Sequence, residues 1–373
     1  MANLFDYLAW RGDVPFSADP FNEVDNLLLC ELAYADLAGI VPAEGEEAPI
    51  RAVWQQYFAL HDRQELIALG SPTGNAPLLL DEMAAGARYR DTLVTRYINE
   101  IDKNKDCQMS AVTYLLPDGT AFVAYKGTDG TVVGWKEDFD LSYAEETEGQ
   151  RRAVAYLNDA AAAVSRPLRV GGHSKGGHFA VYASALCDAA AQDRILQVYS
   201  NDGPGFRDAF IASPGYQRIL PRVISLVPDM SMIGMLLRSE SPRRVVKSSA
   251  YGIAQHDGFT WQMVRNRFMP AALSSASVFL DQVLDGWLAQ MDDESRRSMT
   301  DTVFSLLEST GEDTFRAMGS QKWKTAEAIL SAVQSLPKEK QKELRHLAGR
   351  LLQSGGQAVA SYFPTNAGES KEE

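Results

Sequence analysis

One short stretch constrains the fold of this chain more than any other, because in residues 168–183 an apolar run leads through a serine into a helix-like run. Residues 172–176 read Gly-His-Ser-Lys-Gly, a G-x-S-x-G pattern centred on Ser174. The pattern alone is weak evidence, but a strand before it and a helix after it are the context that a nucleophile elbow requires. Such a turn projects the serine hydroxyl above the sheet edge, beside the positive end of the helix dipole. We therefore predict a nucleophile elbow rather than an inert or phosphate-binding turn.

Strand and helix signals alternate on both sides of this stretch. Residues 110–116 and 120–126 are two β-rich runs joined by Pro-Asp-Gly, which favours a hairpin. Further strand signals at 195–199 and 222–227 follow helical segments, and residues 76–100 are predicted to be helical. Alternating strands and helices predict an α/β fold with a mostly parallel central sheet flanked by helices.

The character of the chain changes beyond about residue 285. Residues 292–355 are charge-rich and helical in pattern, with no strand signal. We therefore predict an α/β-hydrolase domain over residues 1–285, a C-terminal helical appendage over 286–355 and a disordered tail over 356–373.

Composition excludes several classes of partner. A net charge of −13 over 373 residues argues against nucleic acid and against an anionic membrane surface. We find no run of 18 apolar residues and no signal-peptide pattern at the N-terminus, so a cytoplasmic protein is expected. Three scattered cysteines suit neither a disulfide framework nor a zinc site, and the segment 102–106, which resembles the start of a calcium loop, lacks the glycine and glutamate that such a loop needs. No cofactor or metal is expected.

A serine nucleophile needs a base, and in folds with this elbow the order along the chain is nucleophile, acid, histidine. His61 precedes Ser174, while His173 and His178 lie on the elbow itself. His346 lies in a charged helical run, which leaves His256, between glycines in a loop after the last strand signal. His256 is therefore the predicted base.

Two aspartates are candidates for the acid that orients this histidine. Asp229 follows the second strand signal after the elbow strand, the usual position of the acid in this fold, and Asp202 follows the first. We favour Asp229 and keep Asp202 as the alternative. The apolar residues 230–237 after Asp229 suit an acyl chain, a lid or core packing.

An oxyanion hole requires two backbone N–H donors. The residue after the nucleophile, Lys175, supplies one, and the strand end at 126–128 is expected to supply the other. There Gly127 allows close approach and Thr128 can add a hydroxyl. The Lys175 ammonium points away from Ser174, so we expect its backbone to be the useful part.

These motifs together resemble those of the class 3, fungal-type lipases of the α/β-hydrolase superfamily. The resemblance rests on Lys-Gly-Thr at 126–128 with Trp135 and Asp138, the elbow, Val-Pro-Asp at 227–229 and the late His256. A bacterial lipase-like branch with Gly-His-Ser-Lys-Gly-Gly at the elbow is more similar still. The resemblance covers roughly residues 24–261, and the C-terminal helices lie outside it.

Carried over residue by residue, the resemblance implies that Ser174 is the nucleophile, Asp229 the acid and His256 the base. It also implies that Thr128 and Lys175 form the oxyanion hole. Two residues depart from the lipases, since Lys126 replaces an arginine and Lys175 replaces a leucine, but neither change touches the triad. The second change, at Lys175, places an apolar, triglyceride-type rim in doubt.

The resemblance implies hydrolysis of a small-molecule or lipid carboxylic ester through an acyl-enzyme. Two alternatives stay open. The same triad could serve an acyltransferase or a thioesterase, or the chain could be a catalytically silent scaffold whose C-terminal helices bind a partner. The oligomeric state is not determined by the sequence.

Overall fold

The computed structural model describes residues 2–275, 277–278, 291–314, 317–318, 322–336, 338 and 341. The chain divides into two units, Met1–Leu273 and Ser274–Glu373. This division falls before the predicted boundary at 285, which lies outside the described residues. Most of the predicted appendage beyond residue 336 and all of the predicted tail, 356–373, also lie outside them.

The first unit is built on an eight-stranded sheet whose strands follow one another in chain order. Neighbours from β1 to β4 pair antiparallel, and neighbours from β4 to β8 pair parallel. The strands are β1 Ala48–Pro49, β2 Leu93–Asp102, β3 Cys107–Leu115, β4 Ala121–Tyr125, β5 Leu168–His173, β6 Ile195–Asn201, β7 Val223–Pro228 and β8 Arg243–Val246. A separate small hairpin joins β9 Met263–Val264 and β10 Arg267–Phe268.

Helices cover both faces of the sheet. Those of the first unit are α1 Leu4–Arg11, α2 Glu23–Leu32, α3 Ile50–Leu60, α4 Arg63–Leu69, α5 Pro72–Asn75, α6 Leu79–Ala85, α7 Val132–Asp140, α8 Glu148–Ala163, α9 Lys175–Leu186, α10 Ala189–Arg194, α11 Asp208–Ile211 and α12 Pro214–Ile219. The second unit contains α13 Asp293–Glu308 and α14 Lys322–Ser335. The carboxylate of Asp292 begins α13 by accepting the Ser295 N–H at 2.8 Å.

The central strand β4 contributes side chains to two hydrophobic cores, one on each face of the sheet. Successive side chains of a strand point to opposite faces. Phe122 packs in the cluster that contains the leucines of α2, whereas Val123 packs in the cluster that contains α8 and α9. Because both faces are covered, all five residues of β4 are buried, as expected for a strand inside an α/β sheet.

The α/β-hydrolase fold predicted from the sequence is confirmed, with a mixed sheet whose parallel part carries the elbow strand β5. The prediction of a helix over residues 76–100 is wrong. Helix α6 ends at Ala85, and residues 93–102 form β2. The alternation of β2 is hidden because its register shifts between Thr95 and Ile98, where Arg96 has a φ of 58°.

Candidate active site

Ser174 stands between β5 and α9 with φ 57° and ψ −133°. This conformation lies outside the regions that residues with a side chain ordinarily adopt, and such strain costs about 1–3 kcal/mol. The Ser174 N–H donates to the Asn201 carbonyl at 2.9 Å, which ties the turn to the end of β6. The structure therefore has the strained strand-to-helix turn that the motif predicts.

Two glycines permit this turn because strand and helix nearly touch there. A Cβ on Gly172 would lie 2.1 Å from the carbonyl carbon of Gly176. A Cβ on Gly176 would lie 2.1 Å from the Tyr125 oxygen of β4. Since real Cβ atoms do not approach backbone so closely, any larger residue would push α9 away from the sheet.

His256 lies at the end of a short 3₁₀ turn, Gly252–His256, and its ring faces Asp202. The His256 Nδ1 is 2.6 Å from Asp202 Oδ2, so the Nδ1–H donates to this carboxylate. Asp202 is fully buried, whereas the His256 side chain is 24% exposed. This pairing fixes the tautomer and leaves Nε2 as the nitrogen that can accept a proton.

The expectation that Asp229 orients His256 is wrong, and the alternative residue, Asp202, is the one in contact. The reason is the register of the sheet. His173 pairs with Asn201 across β5 and β6, so the residues that follow them, Ser174 and Asp202, leave adjacent strands at the same level. Asp229 follows β7, one strand farther away. Its Oδ1 is buried without a hydrogen-bond partner in the part of the chain that the structure describes.

Asp202 is held in place by groups from the loop after β7. Its Oδ1 accepts the Ser231 hydroxyl at 2.5 Å and the Gly234 N–H at 3.1 Å. Its own N–H donates to the Leu226 carbonyl at 2.7 Å. Residues 230–237 thus support the acid: they form only a short 3₁₀ turn, Ile233–Met235, and not a continuous helix.

A hydrogen bond from His173 anchors the loop that carries His256. The His173 Nε2 is 2.6 Å from the His256 carbonyl and donates to it, so Nδ1 accepts the Tyr34 hydroxyl at 3.0 Å. Burial is the largest of the effects that hold the pKa of His173 well below its usual value, so this ring stays neutral. The Trp261 indole adds a second anchor by donating to the Gln255 carbonyl at 2.9 Å.

The strand end after β4 lies directly against Ser174. A Cβ on Gly127 would lie 2.9 Å from the Ser174 Cβ and 2.6 Å from the His173 carbonyl oxygen. The next residue, Thr128, donates its hydroxyl to Asp138 Oδ2 at 2.7 Å. Because this hydroxyl already donates to Asp138, a hydrogen bond from Thr128 to an oxyanion would have to come from its backbone N–H.

Asp138 is one of the motif residues that resemble the lipases, but the sequence predicted no role for it. Burial raises the pKa of its carboxyl to about 6, against the opposing effect of Lys175 and the Thr128 hydrogen bond. Asp138 lies on helix α7, ten residues after Thr128, and only folding brings the two side chains together.

A comparison with protein families shows which family the chain belongs to. The sequence model described as Mbeg1-like matches residues 83–305, which is more than half of the chain. The chain belongs to the Mbeg1-like family. The prediction of a lipase-like chain agrees with the fold. The more specific resemblance, to a bacterial branch with Gly-His-Ser-Lys-Gly-Gly at the elbow, stays a prediction. No curated protein sequence matches this chain.

Several solved lipases are similar in structure at low identity. The Rhizomucor miehei lipase in its propeptide complex has 12% identity and a TM-score of 0.31, over 41% of this chain and 56% of that one. The Lip2 lipase from Yarrowia lipolytica has 10% identity and a TM-score of 0.30, over 42% and 65%. The M37 lipase has 15% identity and a TM-score of 0.33, over 55% and 84%. The chain thus spans less than two thirds of the length of the first two.

The remaining histidines of this Mbeg1-like chain lie apart from the site or outside the described residues. His178 is buried in α9 and donates from Nδ1 to the Gly205 carbonyl at 2.9 Å, while Nε2 accepts from Gln150 at 2.9 Å. His61 stacks on Tyr57 at the end of α3. His346 lies outside the described residues.

No set of metal-ligating side chains is assembled within the described ranges of the chain. Cys30, Cys107 and Cys187 are buried and unpaired with one another. Within those same ranges no helix is both long enough and apolar enough to cross a membrane.

Proposed function

We propose that the chain is a serine hydrolase that cleaves carboxylic esters through an acyl-enzyme on Ser174. The observation that carries the proposal is the 2.6 Å contact between His256 Nδ1 and Asp202, one strand away from the strained Ser174. A serine at such a turn, with an oriented imidazole from far downstream, has the parts that acyl transfer through an activated hydroxyl requires.

In the proposed reaction the Ser174 Oγ attacks the ester carbonyl carbon as its proton passes to His256 Nε2. The carbonyl π electrons move to oxygen, where the N–H groups of Thr128 and Lys175 stabilise the charge. Collapse of this intermediate expels the alcohol, which takes the proton from His256. Water then repeats the sequence on the acyl-enzyme, releasing the acid and regenerating Ser174.

The exposed side chains beside His256 support an apolar substrate. Tyr251 is 86% exposed and Ile253 is 58% exposed, and both precede His256 on the same short segment. Phe139 of α7, the residue after Asp138, is also 40% exposed. We therefore propose esters with an apolar acyl group rather than a charged one.

Covalent labelling tests the proposal directly. The wild-type chain should react with a fluorophosphonate probe at Ser174 and hydrolyse p-nitrophenyl esters with a burst, and Ser174→Ala should do neither. A panel of graded acyl lengths gives the preferred substrate, and added alcohol or thiol acceptors separate hydrolysis from transfer. Equal labelling of wild type and Ser174→Ala would leave only a scaffold with this fold.

A further inference from the structure

A buried ion pair lies beneath the proposed oxyanion hole. The Lys175 Nζ is 3.0 Å from Glu137 Oε2, and neither side chain is exposed to solvent. The ammonium also donates to the Gly134 carbonyl at 3.3 Å and lies 4.0 Å from Asp138 Oδ1. Lys175, the first residue of the elbow helix, thus packs its side chain against helix α7.

Glu137 connects this ammonium to two further segments of the chain. Its Oε1 accepts the Gly149 N–H at 2.8 Å, at the start of α8. Its Oε2 accepts the Gln108 N–H at 3.0 Å, at the start of β3. Three donors therefore surround one carboxylate, and Lys175 is the one that reaches it from the elbow.

The same ammonium lies close to the groups that position Thr128. Asp138 accepts the Thr128 hydroxyl through Oδ2, and its Oδ1 has no hydrogen bond within the described part of the chain. Gly134 packs on Thr128, because a Cβ there would lie 2.9 Å from the Thr128 methyl carbon. The Lys175 ammonium thus lies against Gly134 and close to Asp138, the two α7 residues that contact Thr128.

Charge compensation explains why a cation is needed at this position. Glu137 and Asp138 are adjacent in sequence, and an apolar residue in place of Lys175 would leave both carboxyls without a cation at this position. Burial lowers the pKa of Lys175, but the negative charges of Glu137 and Asp138 outweigh it and raise the pKa overall. The ammonium is therefore charged in the folded chain.

We propose that the Lys175 side chain is a positioning residue for the oxyanion hole. Through Glu137, Gly134 and Asp138, the Lys175 side chain holds α7 and Thr128 in a fixed position relative to the elbow. The first backbone N–H of the elbow helix also belongs to Lys175. One residue thus locks both backbone donors together. The inference rests on the proposed esterase function and adds a role for a side chain that chemistry at Ser174 does not use directly.

The first measurement compares Lys175→Met with the wild type on matched esters and thionoesters. Sulfur accepts hydrogen bonds poorly, so a displaced oxyanion hole affects the ester more than the thionoester. We expect kcat for the ester to fall about 10- to 100-fold with KM changed less than about threefold, and the ester-to-thionoester rate ratio to fall with it. Lys175→Arg, which keeps the charge, should recover part of both.

Two further variants separate positioning from stability. Lys175→Met/Glu137→Gln removes both charges, so it relieves the unpaired carboxylate and should recover thermal stability while kcat and the rate ratio stay low. Lys136→Met, on the same helix, removes a cation paired with Asp106 at 2.8 Å and should leave both kinetic readouts unchanged. Fluorophosphonate titration counts the folded sites in each preparation.

The proposal is overturned if Lys175→Met keeps kcat within about threefold of wild type, or if the rate ratio stays constant while kcat falls. Recovery of kcat in the double variant would also overturn it, because the pair would then be purely structural. A wild-type chain without esterase turnover would overturn the proposed function itself, an outcome visible before any Lys175 variant is made.

Discussion

Two buried polar clusters of this molecule are built in opposite ways. The first, the Asp25 cluster, consists of Asp25, Arg88, Tyr7, Tyr89 and Asn22 among the N-terminal helices. The second is the candidate site around Ser174, Asp202 and His256. Both contain a buried carboxylate with an ordered partner, but only the second leaves a reactive group at the surface.

In the Asp25 cluster every oxygen of the carboxylate is occupied. Oδ1 accepts from Arg88 Nε at 2.8 Å and from the Tyr7 hydroxyl at 2.9 Å, and also from Tyr89. Oδ2 accepts from Arg88 Nη2 at 2.5 Å and from the Asn22 N–H at 2.9 Å. The Arg88 and Asp25 side chains are both 0% exposed. Such a cluster joins α1, α2 and the segment before β2 and offers no atom to a ligand.

The site around Ser174 carries unrelieved strain and incomplete pairing instead. Ser174 and Asp202 both have positive φ, and His256 is partly exposed. Behind them both carboxyl oxygens of Glu31 are buried without a hydrogen-bond partner among the described residues, 3.8 Å from His173. Burial raises the pKa of Glu31 well above its usual value. Between these two clusters, backbone strain and unpaired groups thus lie at the one where chemistry is proposed, whereas the Asp25 carboxylate is fully paired.

The largest expected effect distinguishes the two carboxylates near His256. Asp202→Asn should lower kcat about 10³- to 10⁴-fold, because the amide can no longer hold the Nδ1–H tautomer of His256. Asp229→Asn, at the end of the next strand, should change kcat by less than about threefold. Steady-state ester hydrolysis measures both. A larger loss from Asp229→Asn would restore the role predicted from sequence.

A smaller effect should appear in stability alone when the Asp25 cluster is broken. Arg88→Met leaves the Asp25 carboxylate buried without its cation and should lower the free energy of unfolding by about 3–5 kcal/mol. Arg63→Met breaks the half-exposed pair with Asp81 and should lower the free energy of unfolding far less. Denaturant titration gives both values. In each case kcat per titrated site should be unchanged, and a drop in kcat would show that the cluster is coupled to the site.

The smallest of the three effects concerns His178, a buried histidine one helical turn after Ser174. Burial lowers its pKa from 6.5 to about 4, so the unfolded chain binds this proton first as the pH falls. Stability should therefore decline between pH 6.5 and 4, by about 3 kcal/mol from this ring. Unfolding curves across that range should show a shallower decline in His178→Gln, with His61→Gln as the matched control. Identical slopes in wild type and His178→Gln would mean that the folded ring takes up the proton freely.

Local features of the site could be read from the chain alone because they depend on neighbours in sequence. The elbow needs a buried strand, a serine, a helix and glycines at residues 172 and 176, all within a short span. The hairpin before it follows from its Pro-Asp-Gly turn. The order of nucleophile and histidine along the chain likewise narrowed the candidate base to His256, which the structure places against Asp202.

The sequence by itself thus determined the fold class, the strained turn at Ser174 and the choice of His256 as the candidate base. Tertiary structure alone decided between Asp202 and Asp229, because that choice depends on which strand lies beside β5 and at what register. It also decided the destination of the Lys175 ammonium, since Glu137 lies 38 residues earlier in the chain. Spacing along a chain specifies local geometry, whereas contacts between distant side chains exist only after the strands have paired and the helices have packed.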